Sequence, residues 1–120
     1  MLFRSARSIE AQAADIPLAT INRADEAAAV FARALPVMSL QNPVQAVPGK
    51  PDPANAAAVI ESIERAVSLA RAGEVSCVAT NPIAKHVLYE AGFRHPGHTE
   101  FLAALCADAA RMVRRNRRVR

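Results

Sequence analysis

The chain has 120 residues, of which 52% are hydrophobic, only 4% aromatic and none Trp. That is enough for one domain or part of one, with a core built from small aliphatic side chains. The formal charge of +4 is unevenly placed: residues 111–120, RMVRRNRRVR, hold six Arg and no acid, which leaves nine basic and eleven acidic residues in 1–110, a net of −2. No apolar run reaches the ~18 residues of a membrane span. The start, MLFRSARSIEAQ, lacks the apolar stretch of a secretory signal, and its Arg and Ser, faintly like a transit peptide, meet Glu10 early. Cys77 and Cys106 make no metal spacing, so the expectation is a reducing cytoplasm with both thiols packed as small hydrophobes.

The first 20 residues are the least legible. Residues 24–34, ADEAAAVFARA, are Ala-rich with acids early and Arg late, which suits a helix and its dipole. Residues 35–40, LPVMSL, read as a short strand with Pro36 near its start or at a sheet edge. Residues 41–52 contain three Pro and one Gly and form a loop. Asp52 then offers an N-cap and Pro53 the first helical position. Ile60, Ile63, Val67 and Ala70 lie on one helical face, and Gly73 closes the helix, predicted over 53–72.

Residues 75–80, VSCVAT, are a short apolar run, predicted to be a strand buried on both faces. Asn81 and Pro82 repeat the cap-and-first-turn pattern for a helix over 82–91, with Ile83, Val87, Leu88 and Ala91 as its stripe and Gly92 as its end. FRHPGH, 93–98, is a loop. Thr99 caps a last helix over 99–113, with stripe Leu102, Leu105, Cys106, Ala109 and Val113, which frays near Arg114. The order helix, strand, helix, strand, helix indicates an α/β domain with a largely parallel sheet.

All three histidines fall between Asn81 and Ala103. Ligands of parallel α/β sheets bind beyond the carboxyl ends of strands, which places Thr80 and Asn81 at such an edge. The helix opening at Thr99 leaves a Gly-containing loop with its first amides unpaired, so His98 and Thr99 stand where an anion such as phosphate is favoured. The plainer reading makes Thr99 a cap and His98 a loop residue. Lys85 is either a solvated helix residue or a cation reaching back towards an anion at the strand edge. Glu100 suits the dipole of the first turn. His95 and His98 are separated by a Pro-Gly turn and have no carboxylate at matching spacing, which argues against a metal pair. His86 reads as a surface residue.

The stretches GKPDPANAAAVIESIERAV, ATNPIAKHVLYEAGF and PGHTEFLA, in this order, resemble 4-hydroxythreonine-4-phosphate dehydrogenase, of pyridoxal 5′-phosphate (vitamin B6) biosynthesis. The N-terminal ARSIEAQAADIPLATINRADEAAAVFARALPVMSL is similar, less specifically. The resemblance covers residues 4–110 and implies a partial α/β dehydrogenase domain, 1–110, of the isocitrate/isopropylmalate dehydrogenase-like type, followed by an Arg-rich tail, 111–120. It implies NAD-dependent oxidation and decarboxylation of 4-phosphooxy-L-threonine, a divalent metal held by histidines as a Lewis acid, and a homodimer whose site is completed across the interface. The substrate-binding His and Thr of the GHTE motif fall on His98 and Thr99.

The resemblance also implies what this chain lacks. The family opens with a Gly-rich stretch not found here, and its metal histidines and remaining substrate and cofactor contacts follow GHTEFLA. The expectation is therefore a family fragment with part of the substrate site, no catalytic residue, no metal ligand and no activity of its own. Its switch to Arg-rich sequence looks like a frame change or premature end, with a native tail as the alternative. Related dehydrogenases of other phosphorylated four-carbon acids share these motifs. The competing expectation is a non-catalytic α/β module whose basic arm binds nucleic acid or another polyanion. No aromatic residue is interleaved in that arm for base stacking.

Overall fold

The computed structural model describes residues 2–3, 15–45, 47 and 50–117, with 2–3 and 108–117 as backbone only. β1 (Leu2–Phe3), β2 (Leu18–Thr20) and β3 (Leu35–Met38) form a parallel sheet in the order β1-β3-β2. A 3₁₀ turn at Ala24–Glu26 and the short helix α1 (Ala27–Phe31) carry the chain from β2 back to β3. The register aligns Leu18 with Leu35 and Thr20 with Val37 on one side, and Leu2 with Val37 on the other. The α/β reading holds, with a small parallel sheet.

Pro36 lies near the start of β3, the first of its two expected places, and not at a sheet edge, since it is fully buried in the central strand. The ladder explains why this is tolerated. Leu35 N donates to Pro17 O (2.8 Å) and Val37 O accepts from Ile21 N (2.9 Å), both on the β2 side. Alternation turns the Pro36 nitrogen towards β1, whose register begins only opposite Val37. The missing donor costs no described ladder bond.

The long helix α2 (Ala56–Arg71) starts as expected: Asp52 Oδ1 accepts from Ala54 N (2.8 Å) and Pro53 opens the leading 3₁₀ turn. It ends on Gly73 at φ +76°, with Glu74 N bonded to Leu69 O (3.0 Å) and Gly73 N to Ala70 O (3.2 Å), a Schellman closure. α3 (Lys85–Glu90) closes the same way at Gly92, φ +87°. α4 runs from His98 to Arg117. Ile63, Val67 and Phe101 form the buried seam between α2 and α4, with Val59, Ile60, Phe93, Leu102 and Leu105 packed against it. Each fully buried side chain of this kind stabilises by roughly 1.5–3 kcal/mol.

Several expectations are corrected. Residues 75–80 form no strand. A strand exists only where a neighbour pairs with it, and the sheet does not extend to this run. Thr80 and Asn81 are exposed and lie at no strand end. Cys77, on that unpaired run, and Cys106, one position round α4 from Leu105, are both exposed and not packed. α3 begins at Lys85 behind Ala84, three residues after Pro82, so Asn81 caps nothing. α4 begins at His98, which makes Thr99 its second residue and not its cap. The α4 backbone continues past Arg114 to Arg117. Arg is a good helix former and gains from the C-terminal dipole, which outweighs like-charge spacing of a few tenths of a kcal/mol per pair. Residues 118–120 and 4–14 lie outside the described residues.

Candidate functional site

The site builds from the turn between α3 and α4. Gly92 reverses the chain, and Phe93 N returns to Leu88 O (2.9 Å). Tyr89 Oη donates to Pro96 O (3.1 Å), which ties the loop 93–97 to α3. The rings of Phe93, His95 and Phe101 meet pairwise at 5.1–5.2 Å. This cluster anchors the loop to the α2–α4 seam and accounts for His95 as a packed side chain.

The loop ends at Gly97, which is buried and whose carbonyl accepts the first bond of α4 from Phe101 N (3.2 Å). Two charged side chains arch over it. A Cβ at Gly97 would lie 3.5 Å from Lys85 Nζ and 3.2 Å from Glu100 Oε2. A Cβ there would touch Lys85 at ordinary contact and require only the Glu100 carboxylate to give by a few tenths of an ångström. No described residue forms an ion pair with Lys85. The Lys85 ammonium therefore stands beside the open start of a 20-residue helix, where the dipole is positive and the first amides lack intrahelical partners. His98 is half-buried there and Thr99 exposed.

Lys85 is exposed, as its solvated reading has it, and its ammonium stands over Gly97; the strand edge that its other reading required is not formed. Thr80 and Asn81 are not tied to Lys85, His98 or Thr99 by any described bond. His86 is exposed on α3. Among the described residues no three of His, Cys, Asp and Glu gather to hold a metal. The turn from β2 into α1 reads Asn22-Arg23, with no Gly to let a pyrophosphate approach the backbone. The described residues form neither a three-ligand metal cluster nor a Gly-rich pyrophosphate turn.

A second polar cluster has only a faint sequence trace, the i, i+4 pair Glu61 and Arg65. Glu61 accepts from Gln41 N (2.8 Å), Asn42 N (2.9 Å) and Asn42 Nδ2 (2.9 Å), and Arg65 Nη1 donates to Ser39 O (2.5 Å). Asn55 exchanges two bonds with the backbone of Gln45 (2.8 and 3.0 Å). The chain leaving the carboxyl end of β3 is thereby clasped to α2. Burial alone would push the Glu61 carboxyl up. The donors from Gln41 and Asn42, with the Arg65 guanidinium, outweigh it and hold the group down at about 2.

The fold and this turn define an α/β protein with a small parallel sheet and a helix start over which Lys85 and Glu100 place charges of both signs beside Gly97. The sequence model of the family described as "Pyridoxal phosphate biosynthetic protein PdxA" matches residues 1–119, and the chain belongs to that family. Curated relatives named 4-hydroxythreonine-4-phosphate dehydrogenase include that of Methylorubrum populi, 57% identical over 98 residues, 80% of this chain and 28% of the relative. That of Bradyrhizobium diazoefficiens is 52% identical over 103 residues, 86% of this chain and 30% of the relative. That of Zymomonas mobilis is 40% identical over 106 residues, 88% of this chain and 31% of the relative. The chain thus spans less than a third of the length of these relatives. No solved structure gives a significant match. Among the described residues no helix is long and apolar enough to cross a membrane.

Proposed function

We propose that the chain carries the phosphorylated-substrate wall of a 4-hydroxythreonine-4-phosphate dehydrogenase-type site, and that it does not turn over alone. The observation that supports this most is the place of Lys85 Nζ beside Gly97, with Glu100, at the start of α4 inside the family's GHTE stretch. His98 and Thr99 bind the substrate there through imidazole, hydroxyl and amide donors. Lys85 balances an anion's charge across Gly97. The reaction of the whole family enzyme is read as oxidation and decarboxylation of 4-phosphooxy-L-threonine in the cytoplasm, on an isocitrate/isopropylmalate dehydrogenase-like fold. NAD and a divalent metal are assigned to parts of that enzyme beyond this chain, as is completion of the site across a homodimer. Hydride transfer needs substrate, metal and nicotinamide held together in near-attack geometry, and a single binding wall cannot supply that.

The test has two readouts. NADH formation from 4-phosphooxy-L-threonine with added Mg²⁺ should be absent; turnover of about 1 per second or more would overturn the inactive-fragment reading. Amide chemical shifts during titration with 4-phosphooxy-L-threonine should move at Gly97–Glu100, and this movement should be lost in His98→Ala and weakened in Lys85→Ala. Shifts centred elsewhere would overturn the site.

A second reading rests on the six Arg and absent acids of residues 111–120, which suit a polyanion such as nucleic acid.

A further inference from the structure

We infer that His95 is a positioning residue for the substrate site: its ring, set against Phe93 and Phe101, fixes where His98 and Thr99 stand. This rests on the substrate reading of His98 and Thr99 and deepens it.

Residues 94–97 join Phe93 to the start of α4. Arg94 and Pro96 are exposed, and Gly97 has no side chain. His95, half-buried, is the residue of this loop whose side chain packs on the body. Its ring centroid lies 5.2 Å from that of Phe93 at 60° and 5.1 Å from that of Phe101 at 36°. The two Phe rings meet edge-on at 5.1 Å and 84°. Offset and edge contacts at such distances are the favoured arrangements of aromatic pairs. Phe101 belongs to the buried seam with Ile63 and Val67, so His95 ties the loop to that seam.

The tie controls what comes next in the chain. Gly97, the most permissive backbone position of the loop, directly precedes His98. The Gly97 carbonyl accepts from Phe101 N (3.2 Å), so the first turn of α4 closes on the residue whose ring His95 touches. His95 and Phe101 therefore bracket Gly97–Glu100, with a ring contact at one end and a backbone bond at the other. A loop released at His95 moves His98 and Thr99 before any later part of α4, and hydrogen bonds to a ligand weaken steeply when misaligned. The other tie, from Tyr89 Oη to Pro96 O, is a single bond at an exposed position.

Among the described residues neither imidazole nitrogen has a hydrogen-bond partner. The contact is made by the ring and not by its nitrogens. A phenyl ring can therefore replace it, and a polar side chain without a ring cannot.

The experiment uses the full chain and the variants His95→Ala, His95→Gln and His95→Phe. Val59→Ala, on the α2 side of the same seam, is the control for lost stability alone. All are measured well below their melting temperatures. One readout is exchange of the Phe101 amide in the free protein. The other is titration with 4-phosphooxy-L-threonine, followed by amide shifts at Gly97–Glu100. His95→Ala and His95→Gln should each speed the exchange and raise the apparent Kd about tenfold, since two ring contacts are lost. His95→Phe should restore both. Val59→Ala should lower the melting temperature and leave the Kd unchanged. Unchanged exchange or affinity in His95→Ala, rescue by Gln, no rescue by Phe, or an equal loss of affinity in Val59→Ala would overturn the inference and leave the substrate reading standing. A parent chain without shifts at Gly97–Glu100 would overturn the substrate reading, and this inference with it.

Discussion

Two side chains at the clasp and two glycines at the loop carry most of what single residues decide here. The Glu61 carboxyl, held at about 2 from an ordinary 4.5, contributes stability that is fully present above about pH 4.5 and is lost as pH falls through about 2. Glu61→Gln turns an amide donor towards the Gln41 and Asn42 donors and should cost about 1–2 kcal/mol at pH 7. Urea unfolding of both proteins at pH 7 and at pH 2 should show this gap closing in acid; an unchanged gap would mean that the charge is not what holds the clasp. The glycines divide differently. Gly92 sits at φ +87°, so Gly92→Ala forces a left-handed L-residue and should cost about 1–2 kcal/mol. Gly97 has no such φ, and the atoms its new methyl would meet are the ends of flexible side chains. Gly97→Ala should therefore melt within a few degrees of the parent, since Lys85 Nζ would meet the methyl at ordinary contact and only the Glu100 carboxylate must give.

At the scale of elements, helices were legible and strands only in part, for a physical reason. α2 announced itself through Asp52, Pro53, the Ile60–Ile63–Val67 face and Gly73, all within one stretch of chain. A strand depends on a partner distant in sequence. The run 35–38 found neighbours on both sides, whereas 75–80 has the better strand composition and no described partner. β2 is three residues long and too short for any period to show. Phe101 was missed from the α4 stripe because it lies in the first turn, read as polar, although it is buried at the seam with Ile63 and Val67. The place of Lys85 beside Gly97 was not legible, because it depends on how α3 and α4 fold back at Gly92. Phe101→Ala should remove about 3–5 kcal/mol, while Tyr89→Phe, which loses only the exposed bond to Pro96, should cost under about 1.5 kcal/mol. Equal urea midpoints for the two variants would show that the α2–α4 seam is not the stabilising contact.

Across the whole molecule, charge is segregated along the chain, with a net of −2 in residues 1–110 and six Arg in the last ten. The described contacts of α4 with the body are made by Phe101, Leu102 and Leu105, well before the Arg run. Ending the chain after Val113 removes five of the six Arg and leaves that seam whole. Thermal melting should therefore change little, since the lost turn of helix contributes only a few tenths of a kcal/mol per favourable or unfavourable charge. Duplex DNA binding should change much more. Each phosphate neutralised by Arg releases condensed counterions, so the full chain's affinity should fall with salt at a logarithmic slope no steeper than about −5, and the shortened chain should retain a slope near −1 at most. Titration of both forms at about 50 and 200 mM NaCl measures this directly. Equal affinity of the two forms, or full-length binding that ignores salt, would remove the polyanion reading and leave the proposed substrate site at His98 and Thr99 as the remaining one.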